Sequence, residues 1–221
     1  MRFFNKKAFT LSEVLLALAV VGIIAAMVVP GLMNDANKKM LTTQLKNTVV
    51  SIQDLAQEQI ASSPTKTIID TDFVSTGALL SGSNFDVIKN CSSIDKCWGD
   101  SYKSLNGSTV NVSQSGIQLK NGVAIYYVRI DEPESYPYSD TNDNEHYFGI
   151  FYVDVNGTDK PNLLGRDLFI FNITDKGRIG DNLANDYDTN TKTELKAYCQ
   201  DYSEPTACLT YLELNGWNMD Y

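Results

Sequence analysis

The sequence predicts an α+β protein in which a long N-terminal helix packs on an antiparallel β-sheet head. Three observations lead there. The first is an apolar run at the front of the chain, FTLSEVLLALAVVGIIAAMVV from Phe9 to Val29, broken only by Thr10, Ser12, Glu13 and Gly22. The second is a helical spacing of apolar residues behind it, at Leu41, Leu45, Val49, Ile52, Leu55 or Ala56, and Ile60. The third is a series of short strand-like runs between turn residues in the second half.

Composition narrows the function classes. The chain has 221 residues, with 27 acidic and 18 basic, a formal net charge of −9. That balance argues against a nucleic-acid binder, whose affinity rests on phosphate contacts by Lys and Arg. An apolar content of 43% excludes a mostly disordered chain. A single histidine, His146, excludes a multi-histidine metal centre. There is no nucleophile elbow, Walker loop, paired-histidine motif or Gly-rich dinucleotide turn, so no enzyme is expected.

The front element reads as a membrane span. At about 1.5 Å per residue, the run from Phe9 to Val29 reaches roughly 30 Å, the thickness of a bilayer core. The leader MRFFNKKA before it carries Arg2, Lys6 and Lys7. Basic residues beside an apolar span hold that end in the cytoplasm, which places the rest of the chain across the membrane. A cleaved secretory signal or a plain signal anchor would account for the apolar run, but neither accounts for Glu13. A lone carboxylate in hydrocarbon costs on the order of 2–3 kcal/mol, so it marks a functional position.

The stretch KKAFTLSEV followed by an apolar helix resembles the N-terminal cleavage and methylation segment of type IV prepilins, a family that includes the pseudopilins of type II secretion. The match runs from about Lys6 to Pro30 and includes Glu13, Gly22, Ala25 and Ala26. Two positions depart from the pattern: Ala8 stands for the usual glycine, and Ser12 for the usual aliphatic residue before Glu13. The resemblance implies cleavage between Ala8 and Phe9 by a prepilin peptidase and N-methylation of Phe9 by the same enzyme. It implies that Glu13 pairs with the Phe9 ammonium of a neighbouring subunit during assembly, each charge offsetting the burial of the other. The implied partners are the peptidase, copies of this chain or other pilins, and an assembly platform in the inner membrane.

The helix is expected to continue past the membrane. The expected division is 1–8 leader, 9–32 transmembrane or filament-core helix, 33–63 amphipathic continuation and 64–221 extracytoplasmic head. Proline stops the helix near Ser62-Ser63-Pro64. Pro30 removes one helix hydrogen bond and is the candidate kink.

In the head, residues 64–108 are turn-rich and read as loop with short helical or strand pieces. Thr109–Val112, Gly116–Lys120, Val123–Ile130, His146–Val155 and Asp167–Ile173 read as strands, with Asn121-Gly122 as a hairpin turn. A sheet of three or four strands on the helix is expected. Asp131–Glu145 reads as an exposed acidic loop. Trp217 and Tyr221 are expected to cap the core.

Two local sites remain. Cys91, Cys97, Cys199 and Cys208 allow three pairings, of which the local ones, Cys91–Cys97 and Cys199–Cys208, are preferred in an oxidising compartment. The loop after Asp154 offers Asp154, Asn156 and Asp159, oxygen ligands of a kind that suits calcium. The same residues are also what any hairpin loop uses. No cofactor is required.

The function expected is that of a structural subunit of a type IV pilus-like filament or a type II secretion pseudopilus. It would sit in the bacterial inner membrane with its head outside the cytoplasm. The alternative is a membrane-anchored extracytoplasmic binding domain that does not polymerise.

Overall fold

The computed structural model describes residues 10–130, 146–180, 191–201 and 205–221, with backbone alone at Val29, Pro30 and Thr191. The chain divides into two units, residues 1–39 and 40–221. One helix, α1 (Leu11–Ser62), contributes to both. It stops at the Ser-Ser-Pro signal expected to end it, and its backbone stays helical through position 30.

In the first unit none of the described side chains of α1 is fully buried. Its apolar side chains, from Leu11 and Val14 to Ile24 and Met27, all stand exposed. A helix apolar on every side is built for lipid or for other helices, not for a one-sided core.

In the second unit the helix changes character. Leu41, Leu45, Val49, Ile52 and Ala56 are buried, at gaps of four, four, three and four, the spacing of one helical face. Lys46, Asn47, Asp54 and Glu58 lie on the exposed side.

After α1 the chain makes two 3-10 turns, Ile68–Asp70 and Asp72–Val74, and a short helix, α2 (Thr76–Leu79). The main sheet is formed by β1 (Val87–Cys91), β4 (Gly116–Leu119), β5 (Ala124–Arg129), β6 (Tyr147–Asp154), β7 (Leu168–Thr174) and β8 (Ile179–Gly180). They lie in the order β1-β4-β5-β6-β7-β8, each pair antiparallel. Two short strands, β2 (Tyr102–Lys103) and β3 (Thr109–Val110), form a separate pair.

The described sheet thus has six strands rather than three or four. β1 escaped the pattern because its sequence, VIKNC, does not alternate apolar and polar residues, and a bulge lies between Val87 and Lys89. β8 is two residues long. Residues 109–110 pair outside the main sheet. The tail forms two helices, α3 (Thr191–Asp201) and α4 (Ala207–Leu214), which strand-oriented reading did not separate from loop.

Alternation along the strands makes two cores. Ile125 and Tyr127 of β5, Phe151 and Val153 of β6, and Phe169 and Phe171 of β7 join the buried face of α1. Tyr127, Phe151 and Phe171 stand directly opposite one another in register, with ring centroids 4.8 and 5.6 Å apart. Cross-strand aromatic pairs of this kind add to sheet stability beyond their buried area. On the opposite face Ala124, Leu168 and Ile170 pack with Trp98, Tyr102 and Val110. β7 is covered on both sides, and all seven of its residues are buried. This is why its sequence, LFIFNIT, runs apolar instead of alternating.

Trp217 and Tyr221 pack against the main core, partly buried. The Tyr221 hydroxyl donates to the carbonyl of Gly165 at 2.6 Å.

A candidate processing and assembly segment

Ala8 and Phe9, the residues flanking the expected scissile bond, lie outside the described residues. The local structure becomes defined at Thr10, where α1 starts. The Glu13 backbone N–H donates to Thr10 Oγ1 at 3.3 Å, and the Thr10 N–H donates to Glu13 Oε2 at 2.8 Å. The Thr10 hydroxyl also donates to Glu13 Oε2, at 2.9 Å. This reciprocal pair is a capping box: it satisfies donors that a helix N-terminus otherwise leaves without a partner. The signal is present in the sequence as Thr10-Leu-Ser-Glu13 ahead of an apolar run. Oε2 takes both bonds from Thr10, and Oε1 has no partner among the described residues.

Behind the cap, α1 is long and apolar enough to cross a membrane, the one such helix among the described residues. Glu13 is exposed at the start of that span. At position 30 the proline nitrogen cannot donate, and the helical backbone passes through without it.

The other sites expected from sequence lie in the second unit. The sulfurs of Cys91 and Cys97 are bonded, as are those of Cys199 and Cys208. The first bond closes a loop off the end of β1. The second joins α3 to α4 inside the core, where both cysteines are fully buried.

Asp154 sits at the end of β6, fully buried. Its Oδ1 accepts from the backbone N–H groups of Asn156 (3.0 Å) and Gly157 (2.7 Å), and its Oδ2 from the Tyr102 hydroxyl. The Tyr102 hydroxyl in turn accepts from the Gly99 N–H at 2.8 Å. Burial pushes the Asp154 carboxyl up to about 7, against the lowering effect of these donors, and nearby Asp167 adds to the rise. Burial also raises Tyr102. Asp167, likewise buried, accepts from the N–H groups of Asn162 and Leu163, both at 2.6 Å.

This arrangement does not fit a calcium site. The Asp154 oxygens are taken by protein donors, and Asp159 is exposed while Asp154 faces the interior. Among the described residues no three His, Cys, Asp or Glu gather where they could hold a metal ion. The two aspartates instead hold turns at either end of the β6–β7 connection. Asp167, four residues beyond Leu163, opens the run Asp167–Ile173 expected as a strand and is also an oxygen-bearing residue of the loop after Asp154. His146 Nδ1 lies 3.3 Å from Asp175 Oδ2, a contact across the start of β6 and the end of β7.

Residues 3–29 match the family model described as the prokaryotic N-terminal methylation motif. The chain carries a prepilin-type signature. This is the cleavage and methylation segment of type IV pilins and pseudopilins, and it marks the chain as a type IV pilin-like substrate of prepilin peptidase. The family so marked is structural rather than enzymatic. The match ends with the apolar span and does not extend over the head. No curated protein and no solved structure matches the chain. The apolar helix fits the membrane anchor such a protein needs.

Proposed function

We propose that this chain is a structural subunit of a type IV pilus-like filament or a type II secretion pseudopilus. In this reading, prepilin peptidase cuts between Ala8 and Phe9 and methylates the new Phe9 amine. The helix holds the subunit in the inner membrane, head outside, until it enters a filament. The observation that carries the reading is the coincidence of the methylation motif at 3–29 with a helix whose apolar surface is uncovered on every side. Such a surface is satisfied by lipid before assembly and by neighbouring helices after it.

Glu13 has a defined part in this proposal. Its Oε2 is held by Thr10, which leaves Oε1 for a cation. The ammonium of Phe9 from an adjacent subunit fits that need, because pairing offsets the burial of both charges and sets the axial register. Loss of Arg2, Lys6 and Lys7 with the leader makes the mature chain more acidic still, and that charge lies mostly in the head.

Mass spectrometry of the mature N-terminus tests the reading in a host that contains a prepilin peptidase. The expected product begins at methylated Phe9. Cleavage after Ala25 or Ala26 would make this a secreted protein, and an intact Met1 would make it a plain anchor. Either result overturns the proposal.

A further inference from the structure

Four Asn-Gly dipeptides stand in the head, at 106–107, 121–122, 156–157 and 215–216. In such a pair the glycine nitrogen can attack the asparagine side-chain carbonyl, because glycine puts no Cβ in the way. The fold restrains the four asparagines differently. Asn106 is tied at both ends of its amide: Oδ1 accepts from the Ser104 hydroxyl (2.6 Å) and the Ser108 N–H (3.0 Å), and Nδ2 donates to the Asp201 carbonyl at 2.6 Å. Asn156 is half-buried, its Nδ2 donates to the Lys160 carbonyl at 3.1 Å, and the Gly157 N–H is held at 2.7 Å by the buried Asp154 carboxylate. Asn215 donates through Nδ2 to the Asn218 carbonyl at 2.6 Å, and no group among the described residues donates to its Oδ1.

Asn121 differs from all three. It is exposed in the turn of the β4–β5 hairpin. Its Oδ1 accepts from the Val123 N–H at 3.2 Å, and its Nδ2 has no partner among the described residues. The bond to Val123 folds the side chain back along the backbone, over the Gly122 nitrogen. It also sets a donor on the oxygen where negative charge develops when the carbonyl is attacked. The Gly122 N–H is held by the Leu119 carbonyl alone, at 2.9 Å, and the space around the glycine is open. The carbonyl is thus held for attack while the nitrogen that must leave is untethered.

We propose that Asn121 is a self-modification site, at which the Gly122 nitrogen attacks Cγ and water completes the conversion to aspartate or isoaspartate. The N–Cγ bond forms, the Cγ–Nδ2 bond breaks, and the Gly122 amide proton leaves with the side-chain nitrogen as ammonia. Water then opens the five-membered imide. Opening at the side-chain carbonyl gives aspartate, and opening at the backbone carbonyl gives isoaspartate, with the chain running through Cγ. One water is consumed and one ammonia released, with no change of oxidation state. Either product adds a negative charge next to Lys120 in sequence. Isoaspartate also adds one backbone atom to a tight turn. The Gly122 carbonyl has no room to shift toward Gly157, where even a Cβ would lie 2.8 Å from its oxygen. The modified hairpin is therefore looser. The inference rests on the head alone and stands apart from the assembly reading.

The test incubates the full-length chain in detergent micelles in mildly alkaline buffer and maps its peptides over time. Fragmentation mass spectrometry locates each converted asparagine, and enzymatic methylation of isoaspartate gives a second readout. In the folded chain, conversion at Asn121 should run roughly fivefold faster than at Asn106, Asn156 or Asn215. In urea with the disulfides reduced, where these restraints are gone, the four rates should come within about twofold of one another. Asn121→Gln should stop conversion at this position and leave the other three rates unchanged, because its longer side chain must close a six-membered ring. A folded chain in which Asn121 converts no faster than the other three would overturn the proposal. So would the same lead for Asn121 in urea, which would assign the selectivity to local sequence instead of the fold.

Discussion

The side-chain amide of Gln53 pairs with the backbone beside Ile179 much as a neighbouring strand would. Its Oε1 accepts from the Ile179 N–H at 2.8 Å, and its Nε2 donates to the Gly177 carbonyl at 2.6 Å. Gln57, one turn further along α1, donates to the same carbonyl at 3.2 Å. The helix thus holds the β7–β8 hairpin by polar contacts as well as by its apolar face. Gly177 permits the approach: its φ is +72°, and a Cβ there would lie 2.6 Å from Ile60 Cδ1.

Gln53→Leu should therefore destabilise the head by about 1–3 kcal/mol, the cost of leaving buried backbone groups without partners. Gln53→Glu retains the acceptor and loses the donor, and should fall between. Thermal unfolding followed by circular dichroism checks the order. Equal stability of all three would remove the role assigned to Gln53.

The buried Asp154 makes stability depend on pH. Its folded carboxyl is pushed up to about 7, above the ordinary carboxylate value near 4. Between those values the folded state holds a proton that the unfolded chain releases. Its contribution is fully present below about pH 4 and is lost as pH rises to 7. The slope it adds is at most about 1.4 kcal/mol per pH unit. Asp167, raised by burial as well, acts in the same direction. Asp154→Asn keeps an acceptor for Asn156 and Gly157 and cannot titrate. The difference in unfolding free energy between wild type and this variant should therefore change steadily from pH 4 to 7. A constant difference would contradict the shift.

The Cys199–Cys208 bond joins α3 and α4 across a separation of nine residues. Replacing both cysteines with Ala should cost about 2–4 kcal/mol, chiefly by freeing the unfolded chain. Gly165→Ala should also be costly. Its φ is +84°, and a Cβ would lie 2.8 and 2.9 Å from the two sulfurs. Melting temperatures under oxidising and reducing conditions should show that reductant costs the double-alanine chain less than it costs wild type, the remaining loss being that of the Cys91–Cys97 bond.

Glu13 forms part of the helix cap, and the proposed assembly adds a second, separable role for its charge. Glu13→Gln keeps a side-chain acceptor for the Thr10 N–H and removes the charge. Glu13→Ala removes both. Both variants should still be cut at Ala8–Phe9, and both should enter filaments poorly. Filament yield after shearing, measured by immunoblot, checks this. Normal incorporation of Glu13→Gln would leave the cap as the whole function of this residue.

The sequence by itself determined the front of the molecule. Membrane-grade hydrophobicity, the basic leader, Glu13 and the small residues behind it are local properties, readable without knowing what lies across from them. The helix end at Ser62 and the hairpin at Asn121-Gly122 were legible for the same reason: turn and stop signals act over a few residues. Strands β4 to β7 were visible because one or both of their faces are apolar, whereas β1, with its bulge, and the two-residue β8 carry too little pattern to be seen alone.

Tertiary structure decided the remainder, because the deciding contacts join residues far apart in the chain. Gln53 reads as an ordinary polar position on a helix, and its role exists only where the β7–β8 hairpin meets it, 124 to 126 residues later. Asp154 reads as an oxygen ligand in a polar loop, but burial against Tyr102, 52 residues away, makes it a turn anchor. Local sequence specifies which backbone a segment prefers. Burial and long-range pairing specify what each polar group must satisfy, and only the folded chain contains that information.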